Sequence, residues 1–118
     1  MSALRRKAEG ETGMNAGRHV RPAKWSEVID LFDDGDYSAV WGYYQNEHGR
    51  PLGGRCLGVR WNKELGAVGF PNNGPNPTWY IEPPDYARMI LQDLCRRVVK
   101  QPAHGNLENI LKALGECP

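Results

Sequence analysis

Residues 55–61 read Arg55-Cys56-Leu57-Gly58-Val59-Arg60-Trp61, and Gly66-Ala67-Val68-Gly69-Phe70 follows after Asn62-Lys63-Glu64-Leu65. The first run alternates with period two, which puts Leu57, Val59 and Trp61 on one face of a strand and Cys56, Gly58 and Arg60 on the other. A four-residue loop then pairs Val59 with Val68, Leu57 with Phe70 and Gly58 with Gly69. A slip of one residue would set apolar side chains against the polar face, so pattern and loop length support one register.

Working outward, Ala39 to Gln45 and Thr78 to Glu82 read as further strands, and Gly, Asn and Pro punctuate the intervals as in an antiparallel meander. Trp41, Tyr43, Leu57, Val59, Val68, Phe70, Trp79 and Ile81 are expected on the core face. Gly42, Gly58 and Gly69 then fall together on the opposite one. Such a floor, rimmed by Val40, Tyr44, Cys56, Arg60, Thr78 and Tyr80, either admits a ligand or another chain or marks close packing within the domain.

The flanks read as helices. Pro22 precedes Ala23 to Phe32, where Trp25, Val28, Ile29 and Phe32 stand at i, i+3, i+4 and i+7, and Gly35 is placed to end the segment in the left-handed region. Pro83-Pro84-Asp85 opens the longest helix, to about Lys100, with Asp85 as N-cap and a stripe of Tyr86, Ile90, Leu94 and Val98 widened by Ala87 and Leu91. Asn106 caps a short last helix carrying Leu107, Ile110, Leu111 and Leu114, which must dock on its own domain or on a second subunit. The fold class expected is α+β: a small antiparallel meander of three to four strands packed against an N-terminal helix, a longer C-terminal helix and a short terminal helix.

A chain of 118 residues suits one domain. Residues 1–22 are poor in apolar side chains and read as a weakly ordered basic tail before a single domain of residues 23–118. Residues 1–24 carry Arg5, Arg6, Lys7, Arg18, Arg21 and Lys24 against Glu9 and Glu11; residues 25–48 carry six acids and no Lys or Arg. Tail and acidic neighbour are therefore expected to meet, within a chain or between subunits. The net charge of +1 argues against a histone-like coat for nucleic acid, and no apolar run is long enough to span a bilayer. Cys56, Cys95 and Cys117 form no CxxC and follow no apolar leader, which fits a reducing cytoplasm.

No motif names a chemistry. Asp33, Asp34 and Asp36 lack the ligand spacing of a calcium loop, the three histidines have no second ligand at a metal-binding interval, and no cofactor is expected. The leading expectation is a non-catalytic binding or regulatory module that meets a protein or small molecule through the aromatic and glycine face and its loops. Tyr44, His48, Arg50, Arg60, Asn73, Asn76 and Tyr80 are the candidate contacts, and homodimerisation is a further expectation. A second reading is nucleic-acid binding, with Arg60, Tyr44 and Tyr80 stacking and Arg88, Arg96, Arg97 and Lys100, or the basic tail, holding phosphate. A third is a small enzyme using Glu47, His48 and Cys56, for which no oxyanion hole or orienting group is visible.

Overall fold

The computed structural model describes residues 19–45, 53–63 and 68–118. Four strands form an antiparallel sheet in the order β1 (Trp25–Asp33), β2 (Tyr37–Tyr44), β3 (Cys56–Trp61) and β6 (Tyr80–Glu82). The two-residue strands β4 (Asn72–Asn73) and β5 (Asn76–Pro77) make a separate small hairpin. Helix α1 (Pro84–Lys100), a 3-10 turn (Pro102–His104) and helix α2 (Leu107–Glu116) follow. The α+β class is as expected, but residues 23–32 do not form the expected N-terminal helix.

That segment is β1, and the reason lies in its register. Ser26 faces Tyr43, Ile29 faces Trp41, Asp30 faces Val40 and Phe32 faces Ala39, so two bulges each add one residue to β1. A bulge interrupts period two. Glu27 at the first bulge has a φ of 49°, a left-handed conformation uncommon for a side chain of its size. Trp25 and Val28 consequently pack on one face, while Ile29, Leu31 and Phe32 pack on the other. The stripe that imitated a helix is split between the two sides of a sheet. Gly35 does take a positive φ of 97°, but in the β1–β2 hairpin. There Asp33 Oδ1 accepts the Gly35 N–H at 2.9 Å, and Asp34 Oδ1 accepts those of Asp36 and Tyr37. The run of acids is thus turn chemistry.

β2 and β3 pair as Tyr37 with Trp61, Ala39 with Val59 and Trp41 with Leu57, and β6 adds Tyr80 opposite Val59 and Glu82 opposite Leu57. Val59 therefore faces Tyr80 rather than Val68, and Phe70 bridges Trp61 rather than Leu57. Residues 64–67, half of the expected loop and the start of its second strand, lie outside the described residues. The main core lies under the helices: Leu31, Phe32, Ala39, Trp41, Leu57 and Val59 meet Ala87, Leu91, Leu94 and Val98 of α1 and Ile110 and Ala113 of α2. Burying each of these large aliphatic side chains contributes about 2 kcal/mol. The stripe on α1 is rotated from the expected one, since Tyr86 is exposed and Ala87 buried. The helix starts at Pro84, so Asp85 lies in its first turn instead of capping it.

Helix α2 docks on its own domain. Asn106 Oδ1 accepts the Asn109 N–H at 3.0 Å, and the Asn106 N–H reaches the carbonyl of Leu31. Asn109 Nδ2 donates to the carbonyl of Asp30 at 2.8 Å, and Gly105 bridges Phe32, so this segment covers the outer edge of β1.

The opposite face is closed by residues the sequence placed elsewhere. Trp79 and Ile81 pack there with Val20, Trp25 and Val40, not in the main core. Trp25 lies over Gly58, where a Cβ would meet the indole of Trp25 at 2.9 Å and the Cβ of Trp79 at 3.0 Å. The glycine floor is therefore filled, and close packing is the reason for the glycine. Trp79 Nε1 donates to the carbonyl of Val20 at 2.9 Å. Val20 belongs to the packed domain, although the sequence assigned it to the tail. The neighbouring Arg21 pairs with Asp30 at 2.7 Å, a meeting of basic and acidic segments within one chain. Residues 1–18 lie outside the described part.

Candidate functional site

Arg60 anchors the irregular segment that follows β3. It is 1% exposed, and its guanidinium donates to the carbonyls of Val68 at 2.6 Å, Thr78 at 2.6 Å and Pro71 at 3.2 Å. Burial pushes its pKa down to about 10, which leaves it protonated at neutral pH. Gly69, with a φ of 87°, gives this fork room: a Cβ there would lie 2.0 Å from Arg60 Nη2. Beside it Asn62 is buried, exchanges hydrogen bonds with Ser38, and donates to Asp33 Oδ1 and to the carbonyl of Gly35. Arg60 is thus not a rim cation offered to a ligand. It is a clamp that holds residues 68–78 against the sheet.

That clamp positions a row of rings on the other side. Trp61 alternates away from Arg60 onto the helix face, where Tyr37 stands opposite it with ring centroids 5.0 Å apart. Phe70 is bridged to Trp61 by two backbone hydrogen bonds, at 2.7 and 2.8 Å, and Tyr80 sits on β6 opposite Val59. The helices pack on Trp41, Leu57 and Val59, whereas Trp61 lies outside that core and faces α1 across a depression. Trp61, Phe70 and Tyr80 are 50%, 51% and 53% exposed.

Two depressions share Tyr37 and Trp61. One of about 280 Å³ is bounded by Val59, Arg60, Phe70, Pro71, Tyr80 and Glu82. The other, about 640 Å³, runs along α1 past Met89, Ile90 and Leu94, with Asp34, Asp36, Asp93 and Arg97 at its edge. Burial pushes the Tyr37 hydroxyl up to about 12, with the Glu82 and Asp34 carboxylates adding to it and Arg97 opposing. Asp93 is bonded to Arg96 and Arg97, which hold its carboxyl below the ordinary range, and Asp36 pairs with Lys63 at 3.3 Å. Glu82 and Asp34 carry no ion pair among the described residues.

At the far end of the same face a cavity of about 260 Å³ lies between Trp41, Leu57, Pro84, Ala87 and Cys117. Glu82 borders both this cavity and the smaller depression, while the other acid, Glu116, is matched within the chain. Glu116 accepts from Trp41 Nε1 at 2.7 Å and from both Nε and Nη2 of Arg55, and these bonds hold its carboxyl down to about 2. Cys56 borders this cavity, and burial pushes its thiol up to about 11, which disfavours the thiolate a nucleophile needs. Its proposed helpers Glu47 and His48 lie outside the described residues, as does Arg50.

The other candidates from the sequence are dispersed. Tyr44 faces the closed side, edge-on to Trp25 and away from Tyr80, while Arg60 borders the depression lined by Tyr80 but its guanidinium is bonded to backbone carbonyls. Asn73 and Asn76 pair across the small hairpin and are exposed, while Trp79, expected beside them, is buried. On α1, Arg88 donates to the carbonyls of Cys117 and Pro118, Arg96 and Arg97 are bonded to Asp93, and Lys100 is exposed. Of the residues named from sequence, only Tyr80 belongs to the exposed aromatic row. Tyr37, Trp61, Phe70 and Glu82 were missed as contacts, although the period that places Trp61 with Val59 is present in the sequence. No helix among the described residues is long and apolar enough to cross a membrane. No family model, no curated protein and no solved structure matches the chain.

Proposed function

We propose that the chain is a non-catalytic binding module whose contact surface is the aromatic groove of Tyr37, Trp61, Phe70 and Tyr80. The observation that carries this reading is that three large rings lining one depression are half exposed, on a segment held by the Arg60 clamp. Large rings at half exposure, in a contiguous patch, are the composition of interface anchors. The glycine face drops out as the contact surface because Trp25 and Trp79 fill it. The nucleic-acid reading loses its stacking trio, which is divided between two faces, and three of its four helix cations are engaged within the chain. Three free thiols accord with a reducing compartment such as the cytoplasm.

Native mass spectrometry of the chain purified gently from its host tests the reading. A retained partner is expected to be lost with Trp61→Ala and kept with Val99→Ala, an exposed apolar site on α1 away from the groove. A partner held equally by both variants would place the contact elsewhere. A retained nucleic acid released by salt would favour the cationic alternative.

A further inference from the structure

The groove has a chemical bias as well as a shape. The faces of aromatic rings are electronegative, and a cation held over them is attracted most where water is partly excluded. Here Tyr37, Trp61, Phe70 and Tyr80 line the smaller depression, with Glu82 as its acid and Arg60 as its one cation. The adjoining depression is lined by the carboxylates Asp34, Asp36 and Asp93 and the cation Arg97, and Lys63 and Arg96 reach Asp36 and Asp93 from beside it. Those cations are bonded to Asp36 and Asp93, so Glu82 and Asp34 are left as the carboxylates without an ion pair among the described residues. Arg60 contributes positive charge beneath, but its guanidinium points to the opposite side of the sheet, within 6.0 Å of the Trp79 ring, and is spent on backbone carbonyls. Phosphate or a carboxylate would meet electronegative rings and acids of its own sign.

The two depressions also form one strip. The strip passes from the rings, past Trp61, to the apolar flank of α1 at Met89 and Ile90. That is longer than a free ammonium ion needs and suits a segment of chain with apolar residues beside a cationic one.

Resting on the binding-module reading, we propose that this groove takes a lysine or arginine side chain of an extended partner segment. Its cationic head lies among Trp61, Phe70 and Tyr80 beside Glu82, and flanking apolar residues lie along Met89 and Ile90. The partner is thus a basic protein segment rather than nucleic acid or a second acidic surface.

The chain itself supplies the probe. Trp25, Trp41 and Trp79 are buried, so changes in indole fluorescence, and in one indole N–H resonance, report on Trp61. The experiment titrates short peptides of alternating alanine and leucine around one central residue: lysine, trimethyl-lysine, acetyl-lysine or norleucine. Lysine and trimethyl-lysine are expected to shift the Trp61 signal with affinities about tenfold above the two neutral peptides. Tyr80→Leu, which keeps apolar area but removes a ring, and Glu82→Gln are each expected to erase most of that preference while leaving the dispersed spectrum of the folded chain intact.

Equal binding of norleucine and lysine at Trp61 would overturn the cationic assignment and leave a binding groove of apolar character. No response at Trp61 to any peptide would also overturn it, and the fate of the binding-module reading would then rest on the native mass measurement with Trp61→Ala. Lysine binding that persists unchanged in Trp61→Ala and Tyr80→Leu would locate the attraction outside the groove and overturn it as well.

Discussion

On one face of the sheet Trp25 and Trp79 close over Gly58, while on the other Trp61 and Tyr80 stand half in water beside Tyr37. The residue types are the same. What differs is the cover. The closed face is covered by its own strand: the first bulge of β1 carries Trp25 and Val28 across it, and the segment after Arg60 returns Trp79 to meet them. The helix face depends on α1 and α2, and Trp61 lies outside the core that they pack on. Aromatic content alone therefore does not tell a core from a contact surface; the reach of the neighbouring elements does.

The largest break in this comparison comes from Trp79→Ala. Removing a buried indole from the small cluster of Val20, Trp25 and Val40 leaves a cavity and the Val20 carbonyl without its donor. A loss of about 3–5 kcal/mol in unfolding by denaturant is expected. A loss below about 1 kcal/mol would mean that Trp25 collapses into the space and that the closed face is not a packed core.

Arg60→Met comes next. It keeps much of the side-chain volume while leaving the carbonyls of Val68, Pro71 and Thr78 to find water, at a cost of about 2–3 kcal/mol. The effect should be concentrated in residues 68–78, so hydrogen exchange at Phe70 and Thr78, whose N–H groups bond to Trp61 and Pro71, is expected to accelerate beyond the rest of the sheet. Uniform acceleration would show the clamp to be global instead. Arg60→Lys is expected to recover little, because an ammonium lacks the planar fork that spans several carbonyls.

These residues also mark how far the fold was legible from sequence. The strand at Arg55–Trp61 was readable because period two survives intact there, and helix α1 because its apolar side chains recur at helical spacing over many turns. β1 was not, because two bulges convert a period of two into an imitation of 3.6, and nothing local in Trp25–Asp33 separates the two origins. Arg60 looked like a rim residue because a cation in a strand is normally solvent-facing. Its acceptors come from a segment eight to eighteen residues downstream whose path no period describes. The groove shared this fate: Trp61 could be assigned a face, but the point where helix cover ends is a property of tertiary packing.

Trp61→Ala sharpens the comparison from the open side. The side chain is half exposed and shares one ring contact, with Tyr37, so a loss of about 1 kcal/mol is expected, well below that of Trp79→Ala. Its larger effect should be optical, since the fraction of fluorescence open to acrylamide disappears with the exposed indole. A destabilisation equal to that of Trp79→Ala would mean that the aromatic row serves the core.

The smallest effect belongs to Glu116, which seals the covered end of the helix face by bonding Trp41 and Arg55. Its folded pKa, about 2, lies below the ordinary carboxylate value. The stabilisation it provides is therefore complete above about pH 4.5 and is lost as pH falls toward 2. The carboxylate is 37% exposed, so solvent screening reduces the gain to about 1 kcal/mol or less. Comparing the unfolding free energies of the wild type and Glu116→Gln between pH 6 and pH 2 should show a small gap that closes on acidification. A gap that widens toward low pH would carry the opposite sign and would remove the carboxylate as the reason this end of the sheet is covered while the Trp61 end is open.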